Sequence, residues 1–408
     1  MDKLAYLGGT KTIKDGSFKW PYSDEEEINN ILDVFTTGNW WRMSGNKVEQ
    51  FEREFAVKHG TQFCLGVTNG THALELAMSA LKIGKGDEVI VPAITFISTV
   101  SAVIYCNATP VIVDVDPKTY CIDVSEFQKA ITPKTKAVIP VHLAGNACNM
   151  EEICAISKKF GIYVIEDAAH AHGGKYKGKS LGSFGDVSIF SFQNGKIMTC
   201  GEGGALITNN REIYERAFLL HGVGRPKGDT KYVHKVIGSN YRMSEFQAAI
   251  LLAQLNRLDK FNKYREMNAS LLDKLLSEID GIIPQSKNCE TTVMTHYMYM
   301  FHYDSKYFNG LDRELFIELL KAEGIPSFVC FPVLSDTECF INHKNPPRPF
   351  EYINSSSLER AHDIADNVVW IPHYVLLGSK ENIYLIRDAI IKIQKLTRNK
   401  EILDLIQR

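Results

Sequence analysis

Val164-Ile165-Glu166-Asp167-Ala168-Ala169-His170 is an apolar run that ends in an acid, and Ser191-Phe192-Gln193-Asn194-Gly195-Lys196 follows one crossover later. The first stretch reads as a buried parallel strand whose carboxylate, Asp167, emerges at the strand's C-terminal edge. In open α/β sheets that edge is where ligands bind. The second closes another apolar run, 187–192, and leads into the glycine-rich turn Gly201-Glu202-Gly203-Gly204. Lys196 therefore reaches the same edge as Asp167. On either side, from about residue 60 to 210, short β-rich runs alternate with helical ones. Strands are predicted at 62–68, 88–91, 110–115 and 137–141, and helices over 71–81, 124–131 and 150–160. That alternation predicts an α/β fold with a doubly wound, mostly parallel sheet and helices on both faces.

The flanks read differently. Residues 1 to about 45 form an arm and a helix, with Ser23-Asp24-Glu25-Glu26-Glu27 supplying its cap and acidic first turn. The stretch 244–276 reads as one or two long helices with Phe246, Ile250, Leu251 and Leu255 on one face. Mixed α and β patterns follow from 293 to a final helix near 381–396. The expected division is an arm and large domain over 1–255 and a smaller C-terminal α+β domain over 256–408, hinged between about 250 and 290.

With 408 residues the chain can bury a large core. Its formal charge of −2 gives no electrostatic case for nucleic acid or an anionic membrane. No apolar run approaches the ~18 residues of a membrane span. Nine cysteines without a C-x-x-C pair indicate neither a disulfide framework nor a structural zinc site. A reduced, cytoplasmic protein is expected, with Cys200 a packing residue.

An acid for a pyridine nitrogen and a lysine for an imine are what pyridoxal 5'-phosphate takes from its protein. Lys196 alone reads as a surface lysine. Its apolar and glycine-rich neighbours argue instead for a partly desolvated amine, whose lowered pKa favours the neutral form. Asp167 alone is equally an ordinary cap; the pairing decides. Thr68-Asn69-Gly70-Thr71-His72 lies between a strand and a helix, so Gly70 and Thr71 can offer N–H groups and a hydroxyl to a phosphate. Phe96 follows a strand and is either a core aromatic or a face for a cofactor ring. Asp167, His170 and His172 lack a fourth ligand at a convincing spacing, so no metal is expected. The glycine turn at 201–204 precedes a strand rather than opening a helix, which excludes a dinucleotide fingerprint.

These motifs resemble the fold-type I, aspartate aminotransferase-like pyridoxal phosphate enzymes, specifically the DegT/DnrJ/StrS-type sugar aminotransferases. Carrying the resemblance are Val67-Thr68-Asn69-Gly70-Thr71, Glu166-Asp167-Ala168-Ala169-His170, Ser191-Phe192 through Lys196, Gly201-Glu202-Gly203-Gly204 and Gly238-Ser239-Asn240-Tyr241-Arg242-Met243-Ser244. The resemblance implies that Lys196 is the Schiff-base lysine and proton shuttle and that Asp167 pairs with the pyridine nitrogen. It implies that Gly70, Thr71 and Ser191 bind the phosphate, that Phe96 stacks on the ring and that His170 lies near the ring hydroxyl. Asn240 matches an asparagine that reaches the phosphate of the partner subunit's site, which makes the active unit a homodimer. Within the family, Gly38-Asn39-Trp40-Trp41-Arg42-Met43 and His221-Gly222-Val223-Gly224-Arg225-Pro226 resemble the amino-hydroxybenzoate synthases. The segments 279–282 and 307–319 look at least as much like glutamine-dependent keto-cyclitol and keto-sugar aminotransferases.

The expected function is amino transfer from glutamate or glutamine to a ketone on a sugar, nucleotide sugar or cyclitol. The rival is a pyridoxal phosphate dehydratase or aromatase that uses the same Lys196 and Asp167. A cofactor-binding regulator has no helix-turn-helix segment or basic stretch behind it. Trp40, Trp41 and Arg42 are candidates for the acceptor pocket, although the tryptophans read more readily as anchors of the arm. His142 and His373 are further candidates to face the site.

Overall fold

The computed structural model describes residues 3–342 and 350–406. After an N-terminal arm come helices α1 (Glu25–Thr37) and α2 (Lys47–His59). Asp24 accepts from the backbone of α1 while Glu27 reaches back to the Asp24 N–H, the reciprocal cap expected from the acidic run. Strands β1 (Phe63–Val67), β2 (Glu88–Pro92), β3 (Thr109–Val113), β4 (Thr135–Val138) and β5 (Tyr163–Asp167) then alternate with α3 (Gly70–Ala80), α4 (Ser98–Tyr105), α5 (Val124–Lys129) and α6 (Met150–Phe160). A hairpin of β6 (Lys175–Tyr176) and β7 (Lys179–Ser180) precedes β8 (Val187–Ser191) and β9 (Gly204–Thr208). Helices α7 (Arg211–His221) and α8 (Glu245–Leu276) follow. Beyond them lie β10 (Ile282–Pro284), β11 (Thr291–Val293), β12 (Met298–Tyr303), β13 (Phe328–Val329), β14 (Ile353–Asn354) and β15 (Val368–Pro372).

The large sheet has the order β1-β9-β8-β5-β4-β2-β3-β14. Every neighbouring pair from β14 to β8 is parallel, and β9 alone runs against the rest. Strands β2 and β8 are buried along their whole length and β5 from Val164 onward, as a sheet covered on both faces requires. A smaller antiparallel sheet, β10-β12-β15-β13, builds the second layer. Among the described residues no helix is long and apolar enough to cross a membrane.

Two apolar cores divide the buried residues, and the expected cut at 255/256 falls inside α8. The first half of α8 places Ala248, Leu251, Leu252, Leu255 and Leu258 in the core of the large sheet. Its second half places Ala269, Leu272, Leu275 and Leu276 in the other. The chain's ends also cross the cut. Leu4 and Ile13 belong to the second core. There the buried Glu323 carboxylate accepts from Ala5 N, Thr12 N and the Thr12 hydroxyl and pairs with Lys392. In the other direction, β14 adds to the edge of the large sheet beside β3. The physical reason is that a short polar arm cannot bury itself and takes its stability from whichever core it can reach.

Candidate functional site

The C-terminal ends of the parallel strands open into one cavity of about 580 Å³. Its lining includes Gly70 and Thr71 after β1, Phe96 after β2, Asp167 and His170 after β5, and Ser191 with Lys196 after β8. Those segments are far apart in the chain and meet because a parallel sheet delivers all its carboxyl ends to one edge.

Asp167 is buried, and Thr99 Oγ1 donates to its Oδ2 at 3.0 Å while Ala169 N donates to Oδ1 at 3.2 Å. Burial pushes its carboxyl above the ordinary value, against the pull of those two donors and of Lys196. Lys196 is half-buried as a residue, but its amine is deep. Burial lowers the Lys196 pKa to about 8, opposed by the charge of Asp167. The amine lies 4.4 Å from the centre of the Tyr297 ring. A cation–π contact favours the protonated amine, so the ring and Asp167 together moderate the effect of burial.

Asn69 caps α3 by accepting from His72 N at 2.8 Å. A Cβ on Gly70 would stand 2.7 Å from that of Ser191, so only glycine lets the helix start approach the end of β8. Thr71 and Ser98 share a hydroxyl–hydroxyl hydrogen bond of 2.7 Å at the same corner. The first turn of an 11-residue helix and three hydroxyls thus converge where an anion gains from the helix dipole. Phe96 remains 54% exposed and meets Phe331 edge to face at 6.2 Å, so a ring face is open toward the cavity. His170 is buried, stacks on Tyr297 at 4.2 Å and keeps an Nδ1 without a partner. Burial holds it well below the ordinary imidazole range, hence neutral.

Other candidates do not share this cavity. Arg42 does not line it; its buried guanidinium grips Glu52 in two hydrogen bonds of 2.5 and 2.9 Å. It lines a separate cavity of about 470 Å³ beside α2 and α7. Trp40 and Trp41 do not line the Lys196 cavity. Trp40 stacks on Phe35 at 5.9 Å and leans on Phe246 of α8 at 5.7 Å, which anchors the arm. His142 sits behind the cavity wall. Its Nδ1 accepts from Cys148 N at 3.2 Å, so Nε2 carries the proton and donates to Glu166 at 3.0 Å. His373 is likewise outside the lining and bonds Gly195 O through Nε2. Asn240 is exposed and away from this cavity. Residues that sequence reasoning did not reach are Thr99, Tyr297, Met298, Phe331 and Trp370. The threonine lies in the first turn of α4, and the others come from in and around strands of the small sheet and pack against the core of the large one, with no local motif to mark them.

The profile of the DegT/DnrJ/EryC1/StrS aminotransferase family matches residues 21–389. A 3-amino-5-hydroxybenzoate synthase of Amycolatopsis mediterranei (strain S699) is 41% identical over 91% of this chain and 96% of its own length. An L-glutamine:2-deoxy-scyllo-inosose aminotransferase of Streptoalloteichus tenebrarius is 33% identical over 92% of this chain and 93% of its own. The crystal structure of a 3-amino-5-hydroxybenzoic acid synthase superposes with a TM-score of 0.84 at 40% identity, covering 92% of this chain and 98% of the other.

Proposed function

Because the chain belongs to the DegT/DnrJ/EryC1/StrS aminotransferase family and works with pyridoxal 5'-phosphate, we propose that it moves an amino group from glutamine or glutamate to a ketone on a sugar, nucleotide sugar or cyclitol. The observation that carries this reading is the pairing of Lys196 and Asp167 across one cavity, with an anion corner at Gly70, Thr71 and Ser191. The cavity's own features suit the cofactor: an orphaned His170 Nδ1, an open Phe96 face and a cradle that a Cβ at Gly70 would close. Bound there, the cofactor supplies an aldehyde that condenses with amines and a ring that takes up the electron pair freed at the donor's α-carbon. Asp167 would pair with the ring nitrogen and stabilise its protonated form. Gly70, Thr71 and Ser191 would hold the phosphate, and Phe96 would fix the ring plane. Lys196 Nζ accepts the donor's α-proton, and in the second half-reaction it returns a proton to the carbon that receives the amino group. Asn240 acts on the site of the partner subunit in a homodimer.

The test is the visible spectrum of protein loaded with pyridoxal phosphate. Glutamine or glutamate is expected to bleach the band, and a keto-sugar or keto-cyclitol to restore it. A band indifferent to both donors overturns the reading. Water loss from an amino-substrate without a second ketone points to the dehydratase, the activity class that the synthase resemblance brings in.

A pH dependence follows from the buried amine. Only neutral Lys196 attacks the cofactor's aldehyde, so capture by the apoprotein is expected to slow as pH falls below about 8 and to level off above it. The slope is about tenfold per pH unit on the acid side. Stopped-flow absorbance measures it, and a profile that keeps rising toward the ordinary lysine range would show a solvated amine instead.

A further inference from the structure

The turn that carries Lys196 is held by its carbonyl groups, and the donors come from three distant parts of the chain. Trp20 Nε1 of the N-terminal arm donates to Asn194 O at 2.8 Å. His373, just past β15, donates through Nε2 to Gly195 O at 3.1 Å. Arg265 of α8 reaches Ile197 O with its NH2 at 3.4 Å. A carbonyl oxygen only accepts, so His373 carries its proton on Nε2. Its Nδ1 has no partner.

The first two donors also hold each other, for the Trp20 and His373 rings meet edge to face at 4.5 Å. His373 N then bonds Tyr297 O at 3.2 Å, and Tyr297 is the ring against which the Lys196 amine rests. Arg265 is fully buried, forms no ion pair among the described residues and lies 5.8 Å from the Trp20 ring. A buried guanidinium without a counter-ion is costly, so its retention beside this turn calls for a reason other than stability.

We propose that Trp20 and His373 are positioning residues that latch the lysine turn, so that docking of the arm and of the small sheet sets where the Lys196 amine stands. The proposal rests on the reading of Lys196 as the cofactor's lysine. Gln193 and Asn194 are exposed and Gly195 is half-buried, so between the buried Phe192 and Ile197 the turn is held by Gln193, which accepts from Gly195 N and Lys196 N, and by these outside donors. Misplacing a reacting group by about 1 Å costs up to about 10²-fold in rate, so two carbonyl anchors next to the nucleophile matter to catalysis out of proportion to their number.

Trp20→Phe keeps the ring and removes the donor. His373→Phe does the same, and His373→Gln restores an N–H at similar reach. Two readouts apply to each. The first is the pH midpoint of trace acylation at Lys196 in the apoprotein, resolved by mass spectrometry. The titratable groups around that amine are Asp167, His170, His172, His373 itself and Tyr297, whose phenol burial raises to about 12. The second is the single-turnover rate with glutamine, kept separate from the glutamine concentration at half-saturation.

Both phenylalanine variants are expected to raise the labelling midpoint from about 8 toward the ordinary lysine value, because a loosened turn lets the amine into water. They are expected to slow the single turnover about tenfold or more with little change in half-saturation, and His373→Gln to recover most of both. Folded phenylalanine variants with the wild-type midpoint and rate overturn the latch. A His373→Gln variant as impaired as His373→Phe removes His373 from it. Borohydride reduction of wild-type protein loaded with pyridoxal phosphate separates the two readings. If the cofactor is not fixed on the Lys196 peptide, the assignment of the lysine fails; if it is fixed and the variants are unchanged, only the latch fails.

Discussion

Replacing Lys196 by alanine is expected to lower amino transfer by about 10⁴-fold, because one group supplies both the nucleophile and the proton carrier. The alternative explanation for any loss is charge, since Lys196 is also the cation beside Asp167. Lys196→Arg separates the two. A guanidinium keeps the charge near Asp167 but stays protonated throughout the working range, so it neither attacks an aldehyde nor accepts an α-proton. The arginine variant is therefore expected to be as inactive as the alanine one. Stability should move the other way or not at all, since the amine is held where burial already disfavours its charge. Single-turnover rates with glutamine and melting temperatures, measured on the same preparations, check both halves. Substantial activity in Lys196→Arg would show that the site needs only a positive charge and would remove Lys196 from the chemistry.

Lys196 was legible because its signal is local: an apolar strand before it and glycines after it. The same holds for Asp167, Gly70, Thr71 and Phe96, while Ser191 and His170 entered only through the family resemblance; all sit within a few residues of a strand's carboxyl end and line one cavity. Period-two alternation also distinguishes Asp167 from its neighbour, since adjacent carboxylates on a strand point to opposite faces. Thr99, Tyr297, Phe331 and Trp370 carry no such mark. Their place in the cavity depends on how α4 and the strands of the small sheet pack against the core of the large sheet, which no short motif encodes. The aromatic run at Trp40 and Trp41 could not be placed by sequence because large rings suit both a pocket and an anchor; for Trp40, the contact with Phe246 bears on the choice. Leu4 and Ile13 lie in the second core although the arm reads with the large domain, because scattered apolar residues in an arm have no periodicity from which to read a partner.

The carboxylate on the other face of β5 carries the largest expected effect on stability. Glu166 is fully buried and accepts from Gly182 N at 2.8 Å, Phe184 N and Gly185 N at 2.6 Å each, Ser188 Oγ at 3.1 Å and His142 Nε2 at 3.0 Å. Burial acts to raise its pKa, but the His142 bond and charge and the backbone donors outweigh it and hold the carboxyl below its ordinary value. A depressed carboxylate contributes stability that is full above the unfolded pKa and is lost as pH falls through the folded one. Glu166 should therefore be among the last carboxylates to protonate as the protein is acidified. Glu166→Leu leaves five donors facing a side chain that accepts nothing, and Glu166→Gln turns an amide N–H against some of them. A loss of about 3–5 kcal/mol is expected for the leucine variant, the range for breaking a buried charge network by removing one partner, with glutamine intermediate. The damage should spread to the site, because Asp167 is the next residue and its strand end would no longer be tied to the 182–185 turn. The urea midpoint and the pyridoxal phosphate affinity should fall together. A Glu166→Leu protein with a wild-type midpoint would mean that water satisfies those donors, and that β5 is held by packing alone.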